Sequence, residues 1–250
     1  LKGADVNEFL RHGDLDGGIG GDLPTVAAVA GMDVVVVSLV QHGFVSIVAD
    51  EALSVDQLRG KSVGYAYGSN AHYALVAALA QYGVSETQVN LVPMDADAMP
   101  AGLCSRQIDA FAAWEPVPTI AIASCEEATV IHRSLASGFL YFSREFAAGR
   151  SEALHAIVAA EVRAVWWLRA DDENLRLASE WSLEAAEALA GVPLPVPPEE
   201  IAALARADIV GLTSVPAIPK DIVTSHAALP GQYEFAQALG LASAQASWDD

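Results

Sequence analysis

Gly60-Lys61-Ser62-Val63-Gly64-Tyr65-Ala66-Tyr67-Gly68-Ser69-Asn70-Ala71-His72-Tyr73, followed by an alanine-rich run to Tyr82, decides how this chain is read. The order is strand, tight turn, helix. Ser62 to Tyr67 carries a valine and two tyrosines, which suit a pleated, half-buried surface, and Gly68 supplies a residue without Cβ where the strand must stop. Ser69 is a natural N-cap. Apolar residues at Ala71, Ala74, Leu75, Ala78, Leu79 and Tyr82 then keep helical spacing until Gly83 ends the helix. A helix start beside a glycine can hold an anion, because free backbone N–H groups and the positive end of the helix dipole face the same way. Most such junctions bind nothing, so on local grammar alone a plain capped helix is the default.

The rest of the composition narrows the function. At 250 residues the chain can build one large domain or two α/β lobes. Hydrophobic residues make up 53 % and charged residues 18 %, which argues for a packed core, yet no apolar run reaches the roughly 18 residues a bilayer span needs. A formal charge of −19 with 13 scattered Lys and Arg argues against a nucleic-acid partner. It leaves room for a small anion, since distant surface charge is screened over about 10 Å. Cys104 and Cys125 match neither a zinc site nor a redox motif; buried thiols are the default and a disulfide the alternative. Both fall on helix ends flanking the strand expected at Ile108–Ala113, where neighbouring crossover helices can bring them together.

Along the chain, Asn7 to Leu10 predicts a short helix and Asp14 to Gly20 a turn into a strand with no earlier strand to pair with. These first residues read as mid-fold, so upstream sequence is expected. Thr25 to Ala30 is a helix opened by Pro24. Asp33 to Val40 and Phe44 to Ala49 are two strands, and Ser54 caps a short helix to Arg59. After Gly83 come a strand at Val89–Pro93, a helix at Ala98–Arg106, a strand at Ile108–Ala113, a helix at Pro116–Ser124 and a strand at Ala128–His132. That alternation predicts an α/β fold with mostly parallel sheet and helices on both faces. A strand at Phe139–Phe142 is followed by a helical tail: Ser151–Arg169, Glu173–Ala190, Pro198–Asp208 and Gln232–Leu239, with the stiff connector Val192 to Pro198 between two of them. Trp166 and Trp167 read as core and flank packing.

Four segments, in this order and spacing, resemble one family: Asp16-Gly17-Gly18-Ile19-Gly20-Gly21-Asp22-Leu23-Pro24, Asp56 to Gly64, Gly68-Ser69-Asn70-Ala71-His72-Tyr73, and Ile108-Asp109-Ala110-Phe111-Ala112-Ala113-Trp114-Glu115-Pro116. Over most of the first 145 residues the chain is similar to the nitrate/sulfonate/taurine class of ABC-transporter solute-binding proteins. The resemblance implies a type II periplasmic-binding-protein fold of two lobes, each a mostly parallel sheet flanked by helices. Lobe one would be residues 1–50 and 137–250, lobe two 51–136, with crossovers near Ala49–Ser54 and Ser134–Phe139 and a ligand in the cleft. It further implies an extracytoplasmic monomer whose signal segment is absent from the given chain. Its partners would be a small anionic ligand and the permease subunits of an importer, with no cofactor, no metal and no catalysis.

By the same resemblance, Gly68, Ser69 and Asn70 match the turn that receives the anionic head group, with the Ser69 hydroxyl and the N–H groups of Asn70 and Ala71 as donors. Gly21 and Asp22 lie on the facing loop; Asp22 would meet a cationic or hydroxyl part of the ligand, or cap the helix at Pro24. Trp114 offers an apolar face and Glu115 an acceptor at the cleft edge. His42 and His72 are candidate donors to an anion, although a lone histidine is more often structural. The chain departs from the family in lacking its first strand and helix, in Gln107 where glycine is usual, and in Asn70 where threonine is usual. Two other functions compete: an enzyme on the same fold, of the pyrimidine-synthesis or desulfinase kind, and the effector domain of a regulator.

Overall fold

The computed structural model describes residues 3–50, 53–191, 193–207, 215–217 and 229–243. Its organising element is a strand longer than the sequence suggests. Val34 to Val37, Val45, Ile47 and Val48 favour extended backbone on either side of Gln41-His42-Gly43. Both expected strands prove to be one, β2 (Val34–Ala49), because β6 (Thr129–Ser143) pairs with it on both sides of that polar break, antiparallel from Val34↔Ser143 to Ala49↔Thr129. Register shifts at Val36/Ser38, Leu39/Gln41 and Ile47/Val48 bend the pair. The expected strands at 128–132 and 139–142 are likewise the two ends of β6, which runs unbroken through Ser134–Phe139.

Four shorter strands complete one six-stranded sheet in the order β1-β6-β2-β5-β3-β4. They are β1 (Gly17–Gly21), β3 (Ser62–Tyr65), β4 (Asn90–Pro93) and β5 (Ala110–Trp114). The α/β class holds, but the pairing differs from the mostly parallel lobes expected. Only β3–β4 and β3–β5 are parallel; β1–β6, β2–β6 and β2–β5 are antiparallel. Alternation of strand and helix constrains the order of elements, whereas strand direction is chosen by partners far away in sequence. β1, for which the sequence offers no partner, finds β6. Val34–Val37 and Val63–Tyr65 share the sheet without touching, since β5 lies between them.

Helices flank the sheet: α1 (Gly3–His12), α2 (Asp22–Gly31), α3 (Asn70–Gln81), α4 (Met99–Cys104) and α5 (Val117–Ser124). The tail brings α6 (Arg144–Gly149), α7 (Ser151–Ala170), α8 (Asp172–Ala190), α9 (Pro198–Ala207) and α10 (Leu229–Ala238). Leu75 and Leu79 of α3 are wholly buried against Val63, Ala110 and Ala112, each worth about 1.5–3 kcal/mol of apolar burial. Trp166 is not core: it is 67 % exposed, and Trp167 stacks on Trp181 of α8 at a centroid distance of 5.7 Å. Cys104 and Cys125 are disulfide-bonded, with Cα atoms 5.3 Å apart, which resolves the two readings of these residues in favour of the bond. Glu51 and Ala52 of the first expected crossover, Val192 of the connector and the Asp208 end of the α9 helix lie outside the described residues.

Candidate functional site

The middles of β2 and β6 meet the β1–α2 and β3–α3 turns around a cavity of about 190 Å³. Its walls include Ile19, Pro24, Phe44, Tyr67 and Trp114, and its polar lining includes Gly21, Gln41, Gly68, Ser69, Asn70, Ser137 and Gly138. Among the described residues no lysine or arginine lines it.

The β3–α3 turn supplies neutral donors. Gly68 sits at φ +67°, a conformation that side chains with Cβ adopt at a cost, and Ser69 follows as the N-cap of α3. The Ser69 hydroxyl donates to the Ala66 carbonyl at 2.6 Å and accepts the His72 N–H at 3.3 Å. Its proton is directed to Ala66 here, not into the cavity where it was expected as a donor to the ligand. The N–H groups of Asn70 and Ala71 belong to the first turn and have no carbonyl four residues back to bond. Ala71 itself is fully buried in the core, so only its backbone is in question.

The remaining predicted residues separate into those at the cavity and those behind it. Gly21 and Trp114 line it, Trp114 as the last residue of β5, paired with Val45. Asp22 is 1 % exposed and bonded within the protein: Oδ1 accepts the Ser137 N–H at 2.9 Å and Oδ2 the Gln232 Nε2–H at 3.2 Å. It does not cap α2 either, whose N-cap is Gly21. Burial raises the Asp22 carboxyl to about 6, against the opposing hydrogen bonds of Gln232 and Ser137 and the charge of His42. Glu115 accepts from the Thr119 hydroxyl at 2.8 Å and the Thr119 N–H at 3.3 Å, holding the start of α5 rather than the cavity wall.

His72 is a packing residue. Its ring lies 4.4 Å from Tyr65, 5.3 Å from Tyr67 and 5.0 Å from Phe235, and Nδ1 accepts the Gly68 N–H at 3.4 Å. Burial lowers it to about 4, which keeps the imidazole neutral and excludes it as a cationic donor at neutral pH. His42 Nδ1 instead pairs with the Ser137 hydroxyl at 3.0 Å. The sequence reading missed Tyr67, Ser137, Gly138 and the neighbours of His42, Gln41, Gly43 and Phe44. Tyr67 stands in the decisive stretch itself, next to Gly68; the others are mid-strand residues with no local signal.

The model of the family described as NMT1/THI5 like matches residues 2–174. Over 129 residues the chain is 33 % identical to a protein of Escherichia coli (strain K12) named for binding aliphatic sulfonates, a match that covers 48 % of this chain and 40 % of that protein. The alkanesulfonate-binding protein SsuA of Xanthomonas axonopodis pv. citri, solved with MOPS bound, superposes with a TM-score of 0.70 at 21 % identity over 97 % of this chain and 81 % of its own. The periplasmic aliphatic sulphonate binding protein SsuA of Escherichia coli gives 0.65 at 19 % over 96 % and 80 %. A mutant of DSZB, solved in complex with biphenyl-2-sulfinic acid, gives 0.57 at 17 % over 97 % and 84 %. At these identities the superpositions establish a shared fold.

Proposed function

The chain belongs to the NMT1/THI5-like family, and from that membership we propose that it is the ligand-capturing component of an ABC importer for small organic sulfonates. The observation that carries the reading is the cavity itself: a helix N-terminus with open N–H groups beside aromatic and aliphatic walls, and no cationic side chain among its described lining residues. A sulfonate combines one diffuse, weakly basic negative charge with an apolar body, so dipoles and N–H donors can hold its head while Tyr67, Trp114 and Phe44 cover its chain. The partial identity to an aliphatic sulfonates-binding protein supports the same ligand class. Taurine and nitrate are narrower or smaller ligands for the same donors and remain comparison compounds.

The ligand-binding set of this proposal is Gly21, Gly68, Asn70 and Trp114 with the backbone of Ser69 and Ala71, joined by Tyr67 and Ser137. Residues 1–50 with 137–250, and 51–136, form its two lobes; β6 runs from the second into the first, and β2 of the first pairs with β5 of the second. The partners are the permease subunits of the importer, and the compartment is outside the cytoplasm, where a Cys104–Cys125 disulfide persists. No helix among the described residues is long and apolar enough to cross a membrane.

Thermal shift followed by calorimetry tests the reading, with methanesulfonate, hexanesulfonate, taurine, nitrate and acetate as probes. Hexanesulfonate at 100 times its Kd should add about 2.7 kcal/mol of stability. Acetate binding more tightly than any sulfonate would overturn the ligand class, and release of sulfite from an aryl sulfinate would favour an enzyme.

A further inference from the structure

Helix α10 touches both α2 and α3, which the lobe assignment above places on opposite sides of the cavity. Its Leu229, Tyr233 and Ala236 are buried in one core with Leu23, Val26 and Ala27 of α2. Towards α3 it extends Phe235, whose ring stands at a steep angle to His72 at 5.0 Å and to Tyr73 at 5.6 Å. The approach is close. A Cβ on Gly231 would lie 2.6 Å from the Tyr73 hydroxyl oxygen, nearer than side chains pack, but 3.7 Å from Tyr73 Cζ, which is ordinary contact. Leu241, just past α10, reaches the β3–α3 turn itself, with Cδ1 3.4 Å from where a Cβ on Gly68 would stand.

Tyr73, Gly231 and Phe235 are not among the residues that line the cavity, yet they press on those that shape it. His72, against which Phe235 packs, accepts the Gly68 N–H through Nδ1 and donates its own N–H to the Ser69 hydroxyl. Asn70 Oδ1 accepts the Leu23 N–H at 3.1 Å, so the first turns of α2 and α3 also meet. Resting on the two-lobed sulfonate-binding reading, we infer that α10 is a latch. Carried on α2, it grips α3 through Phe235 and Gly231 and holds the β3–α3 turn against the β1–α2 turn, which makes Tyr73, Gly231 and Phe235 positioning residues for the ligand. A ligand that needs both turns binds when they are together, so its apparent affinity scales with the population of the latched state. Loosening the latch therefore weakens every ligand by one common factor. A change in the cavity wall discriminates among ligands instead.

A compensating pair of substitutions tests the latch. Gly231→Ala sets a methyl group against the Tyr73 hydroxyl, and Tyr73→Phe takes that oxygen away. In calorimetry Gly231→Ala should weaken methanesulfonate and hexanesulfonate alike, by about tenfold, and the double variant should return both affinities to within about twofold of wild type. Helices favour alanine over glycine, so a purely local effect on α10 gives no such loss and no such rescue. Phe235→Leu crowds nothing, keeps apolar bulk and loses the ring, and should weaken both sulfonates equally, by about threefold. Small-angle scattering on the ligand-free protein should give Gly231→Ala a larger radius of gyration than wild type and the double variant the wild-type value. Wild-type affinity in Gly231→Ala, a loss that Tyr73→Phe does not restore, or unequal losses for the two sulfonates in either Gly231→Ala or Phe235→Leu overturns the latch. A wild type that binds no sulfonate refutes the function reading, while the ligand-free radii still decide the latch: equal values for wild type and Gly231→Ala overturn it.

Discussion

Asp22 Oδ1 accepts the backbone N–H of Ser137 at 2.9 Å, tying the first turn of α2 to the middle of β6 directly behind the cavity. The acid is buried and raised from 3.8 to about 6, so the folded protein holds its proton more tightly than the unfolded chain does. Its contribution to stability is therefore full below 3.8 and is lost as pH rises to about 6, a change of about 3 kcal/mol. Asp22→Asn should stabilise the protein at pH 7, since it buries no charge, and Gln232, whose Nε2–H now meets Asp22, can turn its carboxamide over so that Oε1, which lacks a partner among the described residues, accepts from the new amide. Denaturant unfolding at pH 4 and pH 7 measures this, and an Asp22→Asn protein less stable than wild type at pH 7 would contradict it.

His72 has the opposite sign. Burial lowers it from 6.5 to about 4, so its contribution is full above 6.5 and is lost as pH falls toward 4, again by about 3 kcal/mol. The two windows nearly coincide and oppose each other. His72→Gln, which keeps an acceptor for the Gly68 N–H, should gain stability relative to wild type as pH drops from 6 to 4.

The Cys104–Cys125 bond closes a loop with a sequence separation of 21. Chain-entropy reasoning gives about 3 kcal/mol for such a loop. Reduction, or Cys104→Ser with Cys125→Ser, should lower the melting temperature by about 6–12 °C in scanning calorimetry without changing the affinity for hexanesulfonate, because both cysteines lie away from the cavity lining.

Ser69→Ala removes the cap on α3 and should cost about 1 kcal/mol of stability. The hydroxyl proton already belongs to Ala66, so hexanesulfonate affinity should fall less than tenfold. A loss of 100-fold in calorimetry would mean that the hydroxyl turns to the ligand on binding.

Tyr67 is 54 % exposed at the cavity wall, so Tyr67→Ala should barely affect folding. Removing its ring should weaken hexanesulfonate by about tenfold through lost apolar cover and leave methanesulfonate almost unchanged. Equal losses for both ligands would show that Tyr67 acts on the head group instead.

Much of the site was legible because its signals are local. Gly68 at positive φ, Ser69 as an N-cap and the apolar face of α3 each follow from neighbours within four residues, and Trp114 ends a strand whose five residues are apolar. What could not be read was which donors stay available. The Ser69 hydroxyl, the Glu115 carboxylate and the His72 ring looked like ligand groups in one dimension, and each has a protein partner or an aromatic box in three.

The sequence by itself determined the type and order of most of the elements, because caps, glycine turns and apolar periodicity are properties of a few consecutive residues. Only the tertiary structure decided the direction of the sheet, the fusion of four expected strands into β2 and β6, and the crossing of Asn70 to Leu23. The reason is physical: a backbone N–H or a strand edge accepts whichever partner the fold brings near, and for Leu23 that partner is a side chain 47 residues further along the chain.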